Sequence, residues 1–367
     1  MEHTNRKIVD QLISEHVIRV EQSPLLDQAP PPLPTDFAFS RIEGMLLGLA
    51  IGDALGNTSE GRTPSQRGSR YGEIRGYLPN RYAQGRAVGL PSDDTQLAFW
   101  TLEQLLEDGG LIPESLAARF ASRRIFGIGR TVREFLASYH AGQPWQECGV
   151  ASAGNGALMR IAPILIPHLR RPTPDLWADT TLCAMITHND AGSIACCLAF
   201  VGILWELLRM DGPPEPDWWI RSYLGLASGV ERDTNYRPRS ERCEPYAGPI
   251  WGFIERELPA AHRAGLSVVE ACDRWYSGAY LLETMPGVLY ILMQHGHDPE
   301  EAIVRAVNDT KDNDTYAAIV GAAVGGLHGR EALPERWIED LLGRTGAGDD
   351  GRVFELIEQA ARQWGSG

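Results

Sequence analysis

Residues 92–95 read Ser-Asp-Asp-Thr and residues 312–315 read Asp-Asn-Asp-Thr, each directly before an apolar run with helical spacing. Each stretch sets two carboxylates and a hydroxyl at a helix start. Asp, Ser and Thr also serve there as ordinary caps, because their oxygens accept free backbone N–H groups and the helix dipole attracts negative charge. A cap needs one such residue, however, and two consecutive clusters exceed that need. Hard divalent cations take oxygen ligands, so Ser92, Asp93, Asp94, Asp312, Asp314 and Thr315 could supply much of the shell of a Mg²⁺ pair. The two stretches lie far apart in the chain, and their meeting in space is an expectation.

Three more segments carry residue types suited to chemistry. Ser152-Ala153-Gly154-Asn155-Gly156 leads into Ala157-Leu158-Met159-Arg160, a small Gly-containing turn before an apolar run. Backbone amides freed at such a turn can cradle phosphate oxygens, although an ordinary loop-to-helix junction has the same composition. Thr187-His188-Asn189-Asp190 also precedes an apolar helix, where a histidine is either a satisfied structural group or a substrate contact. Gly52-Asp53-Ala54-Leu55-Gly56 places an acid in an apolar, Gly-rich helix, where it must find a partner. Glu60, in the Thr58–Gly61 loop, is either a solvated acid or a carboxylate presented to a cleft for acid/base work.

The elements that must position these residues read as helices. Thr95–Leu106, Ile112–Phe126, Leu176–Met185, Ala191–Leu208, Val268–Trp275, Val288–Gln294, Pro299–Val307, Thr315–Leu327 and Gly351–Trp364 have helical patterning, with Pro and Gly mostly between them. Glycines at 44, 48, 52 and 56 line one helix face and permit close backbone approach. Strand-like alternation is scarce. The reading is all-α, one multi-helix domain over residues 41–367. Residues 1–40 form an N-terminal arm, a short amphipathic helix (Ile8, Leu12, Ile13, Val17) followed by a proline-rich spacer over 23–34. The arm either packs on the body or binds a partner.

The chain has 367 residues, with 34 Lys+Arg against 48 Asp+Glu for a net charge of −14. That balance argues against a nucleic-acid partner, which needs a basic face. It does not exclude a phosphorylated small molecule. Six cysteines show no C-x-x-C spacing and read as reduced thiols of a cytoplasmic protein. The polar N-terminus lacks the apolar stretch of a signal peptide, and no run reaches the ~20 residues of a membrane span.

Taken together, the motifs resemble the ADP-ribosylglycohydrolase family, in the family's order over roughly residues 42–330. They are Gly44–Gly56, Ser92–Thr95, Gly154–Arg160, Thr187-His188, Gly278-Ala279-Tyr280-Leu281-Leu282-Glu283-Thr284, and Asp312–Thr315 before Ala317-Ala318-Ile319. The resemblance implies a compact all-α fold and a Mg²⁺-dependent ADP-ribosyl hydrolase with two ions, for which Mn²⁺ could substitute. Ser92, Asp93, Asp94, Asp312, Asp314 and Thr315 would bind the metals. Glu60, Asp93 and Asp312 are the catalytic candidates. Ser152, Gly154, Asn155 and Gly156 match the diphosphate loop, His188 matches a histidine near the substrate, and Tyr280 or Tyr316 is the candidate adenine contact, with core packing the alternative for both. The expected partner is an ADP-ribosylated protein, arginine-linked by preference. Alternatives are an antidote that reverses, and blocks through its arm, an ADP-ribosylating toxin, or a non-catalytic ADP-ribose-binding protein. The chain departs from the family pattern at Ser92 (commonly Thr), Asn313 (Thr), Lys311 (Gly) and in the added arm.

Overall fold

A computed structural model describes residues 4–231 and 233–365. It contains sixteen α-helices: α1 (Thr4–Ser14), α2 (Ser40–Gly56), α3 (Pro64–Tyr71), α4 (Asp93–Asp108), α5 (Pro113–Ser122), α6 (Arg130–His140), α7 (Asp175–Met185) and α8 (Ala191–Leu207) in the first part. The rest are α9 (Pro216–Glu231), α10 (Ile250–Arg263), α11 (Val268–Trp275), α12 (Leu281–His295), α13 (Pro299–Asp309), α14 (Asn313–His328), α15 (Glu335–Glu339) and α16 (Arg352–Ala360). Among the described residues there are no strands, only four isolated bridges. The all-α expectation holds.

At the centre, α2, α8, α12 and α14 are apolar on nearly every face and buried almost throughout, as helices enclosed by others must be. The largest helix contact joins α2 to α14, and the glycine stripe explains it. A Cβ at Gly48 would lie 2.1 Å from the Gly321 carbonyl oxygen, and one at Gly52 would lie 2.0 Å from that of Ala317. At Gly56 it would meet the Asp314 backbone at 2.4 Å. The two antiparallel backbones touch, and the end of α2 sits against the start of α14.

Sequence periodicity missed α3, α6, α9, α10 and the short α15 and began α12 seven residues late, at Val288 rather than Leu281. Interior Gly and Pro hid three of them. Gly225 and Gly229 lie within α9, Pro259 within α10 and Pro286 within α12, where tertiary packing outweighs poor helix propensity.

The arm packs on the body. Val9 and Leu12 of α1 are buried, and Asn5 donates to the Leu111 carbonyl and to Asp179. Trp177 and Trp205 donate their indole N–H groups to the carbonyls of Gln28 and Pro31 in the spacer. Asn189 exchanges hydrogen bonds with the backbone of Val17 and Arg19, so the arm braces the segment that carries His188. None of the six cysteines is in a disulfide, and among the described residues no helix is long and apolar enough to cross a membrane.

Candidate active site

The site forms where α2, α4 and α14 meet. Asp53, fully buried on α2, accepts from both the backbone N–H and the hydroxyl of Ser92, and likewise from Thr95. It therefore does the capping of α4 that Ser92, in the N-cap position, does not do with its own side chain. Asp312, at the corresponding position of α14, also makes no side-chain cap. Neither acidic cluster is explained by capping. Their carboxylates are instead left to face a shared cleft of about 810 Å³, within the range of small-molecule sites.

Glu60, Asp312 and Asp314 each place a carboxylate oxygen within 4.8 Å of the other two. Asp93, Asp94 and Thr315 line the same cleft. The oxygen set fits a hard divalent cation on two further grounds. Asp94 Oδ2 is buried with no hydrogen-bond partner, and among the described residues none of these acids is ion-paired. Glu60, which sequence reasoning kept for acid/base work, thus stands among the candidate ligands. Ser92 bonds Asp53 through its hydroxyl and lines the adjoining cavity, which meets the cleft at Glu60 and Gly127. Its hydroxyl donates to Asp53, which leaves its lone pairs available to a cation.

Burial, reinforced by neighbouring carboxylates, raises the pKa of Asp93, Asp94 and Asp314 well above the ordinary value and raises Glu60 as well. Burial also lifts Asp312 to about 6, against the opposing bond from Asn155. A carboxyl with a raised native pKa contributes stability below its unfolded value of ~4, and that contribution is lost as pH rises through the native value. Metal-free protein should therefore lose stability as pH climbs above ~4 through 6 and beyond. Added Mg²⁺ should restore it. Thermal melts with Mg²⁺ or with EDTA are expected to differ little near pH 5 and increasingly toward pH 8. A difference that is absent or flat with pH would count against a cation among these acids.

The opposite wall is the 150–156 loop, pinned by isolated bridges from Val150 to His188 and from Gly154 to Tyr280. Asn155 Nδ2 donates to Asp312 at 2.6 Å and ties this wall to the acids. His188 is buried, and burial together with the Arg160 charge lowers its pKa to about 3, so it is neutral. Arg160, fully buried, donates to Thr187 Oγ1 at 2.8 Å, and that hydroxyl lies 2.9 Å from His188 Nδ1. If the Thr187 hydroxyl donates to Nδ1, the imidazole carries its N–H on Nε2. Nε2 adjoins Gly154 and Gly156, where an added Cβ would come within 3.4 and 3.3 Å of it. His188 is thus neutral, with Nε2 aimed at the loop.

Two departures from the family pattern resolve structurally. The Asn313 side chain turns away, donating to the Gly56 carbonyl and to Ser59 Oγ. Lys311 places Nζ 3.5 Å from the centre of the Tyr276 ring, so its charge does not neutralise the acids.

The family model for ADP-ribosylglycohydrolase matches residues 34–365. The chain belongs to the ADP-ribosylglycohydrolase family. It is similar to an ADP-ribosylarginine hydrolase of Pseudomonas putida, with 26% identity over 316 residues, 83% of this chain and 75% of that one. The ADP-ribosyl-[dinitrogen reductase] glycohydrolase of Rhodospirillum rubrum is 27% identical over 305 residues, 82% of this chain and 90% of that one. A solved structure, an ADP-ribosylglycohydrolase-related protein complex, aligns with a TM-score of 0.60 at 25% identity, covering 89% of this chain and 97% of that one. The resemblance drawn from the six motifs therefore holds for the family and its fold.

Two more groups of this ADP-ribosylglycohydrolase cleft come from the 233–239 stretch, which the sequence marks as an exposed loop or substrate lid without assigning its residues. Tyr236 packs edge-on against Tyr280, with ring centres 6.4 Å apart, and its hydroxyl donates to Asp190. Arg239 makes a two-pronged bond to buried Glu283 at 2.7 Å and lies over the Tyr280 ring. The only sequence signal was the Arg- and Tyr-rich stretch 233–239. Glu283 stood in a motif but had no assigned partner, because its arginine is distant in sequence.

Proposed function

We propose that this protein is a divalent-metal-dependent hydrolase that removes ADP-ribose from a modified protein side chain, with arginine the preferred acceptor. The observation that carries the proposal is one cleft with an unpaired carboxylate cluster on one wall and a donor-rich Gly-Asn-Gly loop on the other. Ser92, Asp93, Asp94, Asp312, Asp314 and Thr315 would hold a pair of Mg²⁺ ions, or Mn²⁺, with Glu60 alongside. Such cations, when bound, supply Lewis-acid polarisation of sugar oxygens.

The protein's own groups do the rest. Ser152, Gly154, Asn155 and Gly156, with His188 Nε2–H, bind the diphosphate and fix the sugar relative to the acids, so remote binding supplies orientation. Tyr280, with Tyr236 at its edge, offers the adenine a ring. The C1″–N bond to the guanidinium breaks through an oxocarbenium-like state, and water adds at C1″. Glu60, Asp93 or Asp312 accepts the water's proton, and the leaving guanidine takes up a proton in turn. His188 takes no proton in this scheme, because burial and the Arg160 charge hold its pKa at about 3 and make it too weak a base.

The relative named as an ADP-ribosylarginine hydrolase supports the arginine preference. Blocking of a toxin by the arm has no such support, since the arm's apolar face is already buried. The test is release of ADP-ribose from arginine-linked and serine-linked peptides, followed chromatographically with Mg²⁺ and with EDTA. Mg²⁺-dependent release from the arginine linkage is expected. Turnover unaffected by EDTA would sink the metal assignment, and ADP-ribose binding without turnover of either linkage would make the protein a binding module instead.

A further inference from the structure

A second cavity of about 710 Å³ adjoins the cleft and shares Glu60 and Gly127 with it. Arg62, Arg70, Arg81 and Arg344 line its walls. Each guanidinium lies over a ring of the same cavity: Arg62 and Arg70 over Tyr71 at 5.8 and 5.3 Å, Arg81 over Tyr82 at 4.6 Å, and Arg344 over Phe126 at 4.3 Å. Among the described residues none of the four is ion-paired, and Arg344 Nε is buried without a hydrogen-bond partner. The groove continues over the outer face of α3, where Arg62 and Arg70 stand with Ser65, Gln66 and Ser69.

Its walls are fixed. Buried Gln96 accepts from the Phe126 N–H and donates to the Thr345 carbonyl, holding together the two loops that carry Phe126 and Arg344. Fully buried Arg67 bonds the carbonyls of Arg62, Asn308 and Thr310, which anchors α3 beside the Asp312 turn. Ring stacking strips water from a guanidinium and orients its planar fork, which matches a carboxylate. In a chain of net charge −14, four unpaired arginines in one groove reverse the local field and attract anions.

Position selects the anion. The Ser152–Gly156 loop and His188 line only the first cavity, so the proposed diphosphate seat is remote from the groove. The groove opens at Glu60, the end at which the glycosidic bond would be cut. What lies beyond that bond is the acceptor polypeptide. We propose that the arginine-lined groove docks an acidic stretch of the ADP-ribosylated protein, next to the modified side chain. The inference rests on the hydrolase reading above and adds a substrate preference to it.

Three substrates test it: free ADP-ribosyl-arginine, an ADP-ribosylated peptide with flanking Asp and Glu, and the same peptide with Asn and Gln instead. Wild type is expected to favour the acidic peptide in kcat/KM by about five- to tenfold at low ionic strength, with the preference fading at high salt. Arg62→Ala/Arg70→Ala should abolish the preference, and Arg62→Glu/Arg70→Glu should invert it. Both variants should leave turnover of ADP-ribosyl-arginine unchanged, which also reports that they fold. No preference in wild type, or one that survives in the variants, overturns the docking site. An equal loss on ADP-ribosyl-arginine overturns it too, since the groove would then serve the nucleotide. Failure of wild type on every linkage would count against the hydrolase reading alone. The groove is then judged by fluorescence anisotropy of a labelled, unmodified Asp/Glu-rich peptide: binding lost in Arg62→Ala/Arg70→Ala supports it, and no binding to wild type overturns it.

Discussion

Asp312→Asn is expected to lower kcat by about three orders of magnitude while making the metal-free protein more stable. The two effects have one cause. Asp312 shares the cleft with Asp314, Glu60 and the Asp93–Asp94 pair, and no cation among the described residues offsets them. A carboxyl held at about 6 rather than 3.8 costs the fold at most about 3 kcal/mol once ionised. The amide removes that cost and can still accept from Asn155 through its oxygen. It also removes a negative ligand, so the Mg²⁺-induced rise in Tm should shrink or vanish. Melts of wild type and variant, with EDTA and with Mg²⁺, read both effects on one sample, and ADP-ribose release reads the third. A variant that is less stable without metal, or that keeps wild-type turnover at saturating Mg²⁺, would remove Asp312 from the metal-binding set.

This opposition of stability and function marks where the sequence was most legible. Clusters at 92–95 and 312–315 stood out because they exceed what two helix caps require, and in the structure neither Ser92 nor Asp312 caps its helix with its own side chain. Asp53 was recognisable as a buried acid in need of a partner, yet the identity of that partner was not. Besides Asn57 four residues on, its donors are the N–H and hydroxyl groups of Ser92 and Thr95 at the start of another helix, and no local pattern encodes those contacts. The same holds for Arg239 with Glu283 and for Tyr236 with Asp190, which join an irregular loop to the wall of the cleft. Loop-to-wall pairs of this kind depend on the folded path of the chain, whereas a run of acids before a helix is a local fact.

The arm shows the complementary limit. Its amphipathic helix and proline spacer were visible from residue spacing, but an apolar face announces only that something covers it. Here the cover is the body itself. Asn5 reaches Asp179, and the spacer carbonyls of Gln28 and Pro31 accept from Trp177 and Trp205. Because Asn189 links the arm to the residue beside His188, the arm belongs to the support of the cleft.

Gly52→Ala should test whether the cleft depends on the contact between α2 and α14. On an isolated helix this change is favourable by about 1 kcal/mol. Here the new Cβ would stand 2.0 Å from the Ala317 carbonyl oxygen and 2.3 Å from its carbon, both backbone atoms that cannot rotate aside. The helices must move apart, and a forced shift in a packed core costs roughly 3 kcal/mol, or about 4–5 °C in Tm for a chain of this length. Separation displaces Asp53 from Ser92 and Thr95, and Gly56 from Asp314, so both acidic clusters lose register together. The expected result is a lower Tm combined with loss of the Mg²⁺-dependent stabilisation, although no candidate ligand has changed. Gly68→Ala on α3 is the control, because a Cβ there meets nothing within 4 Å and should leave Tm and metal response intact. If Gly52→Ala keeps the wild-type metal response, the glycine stripe packs the core without setting the site, and some other contact must bring the distant clusters together.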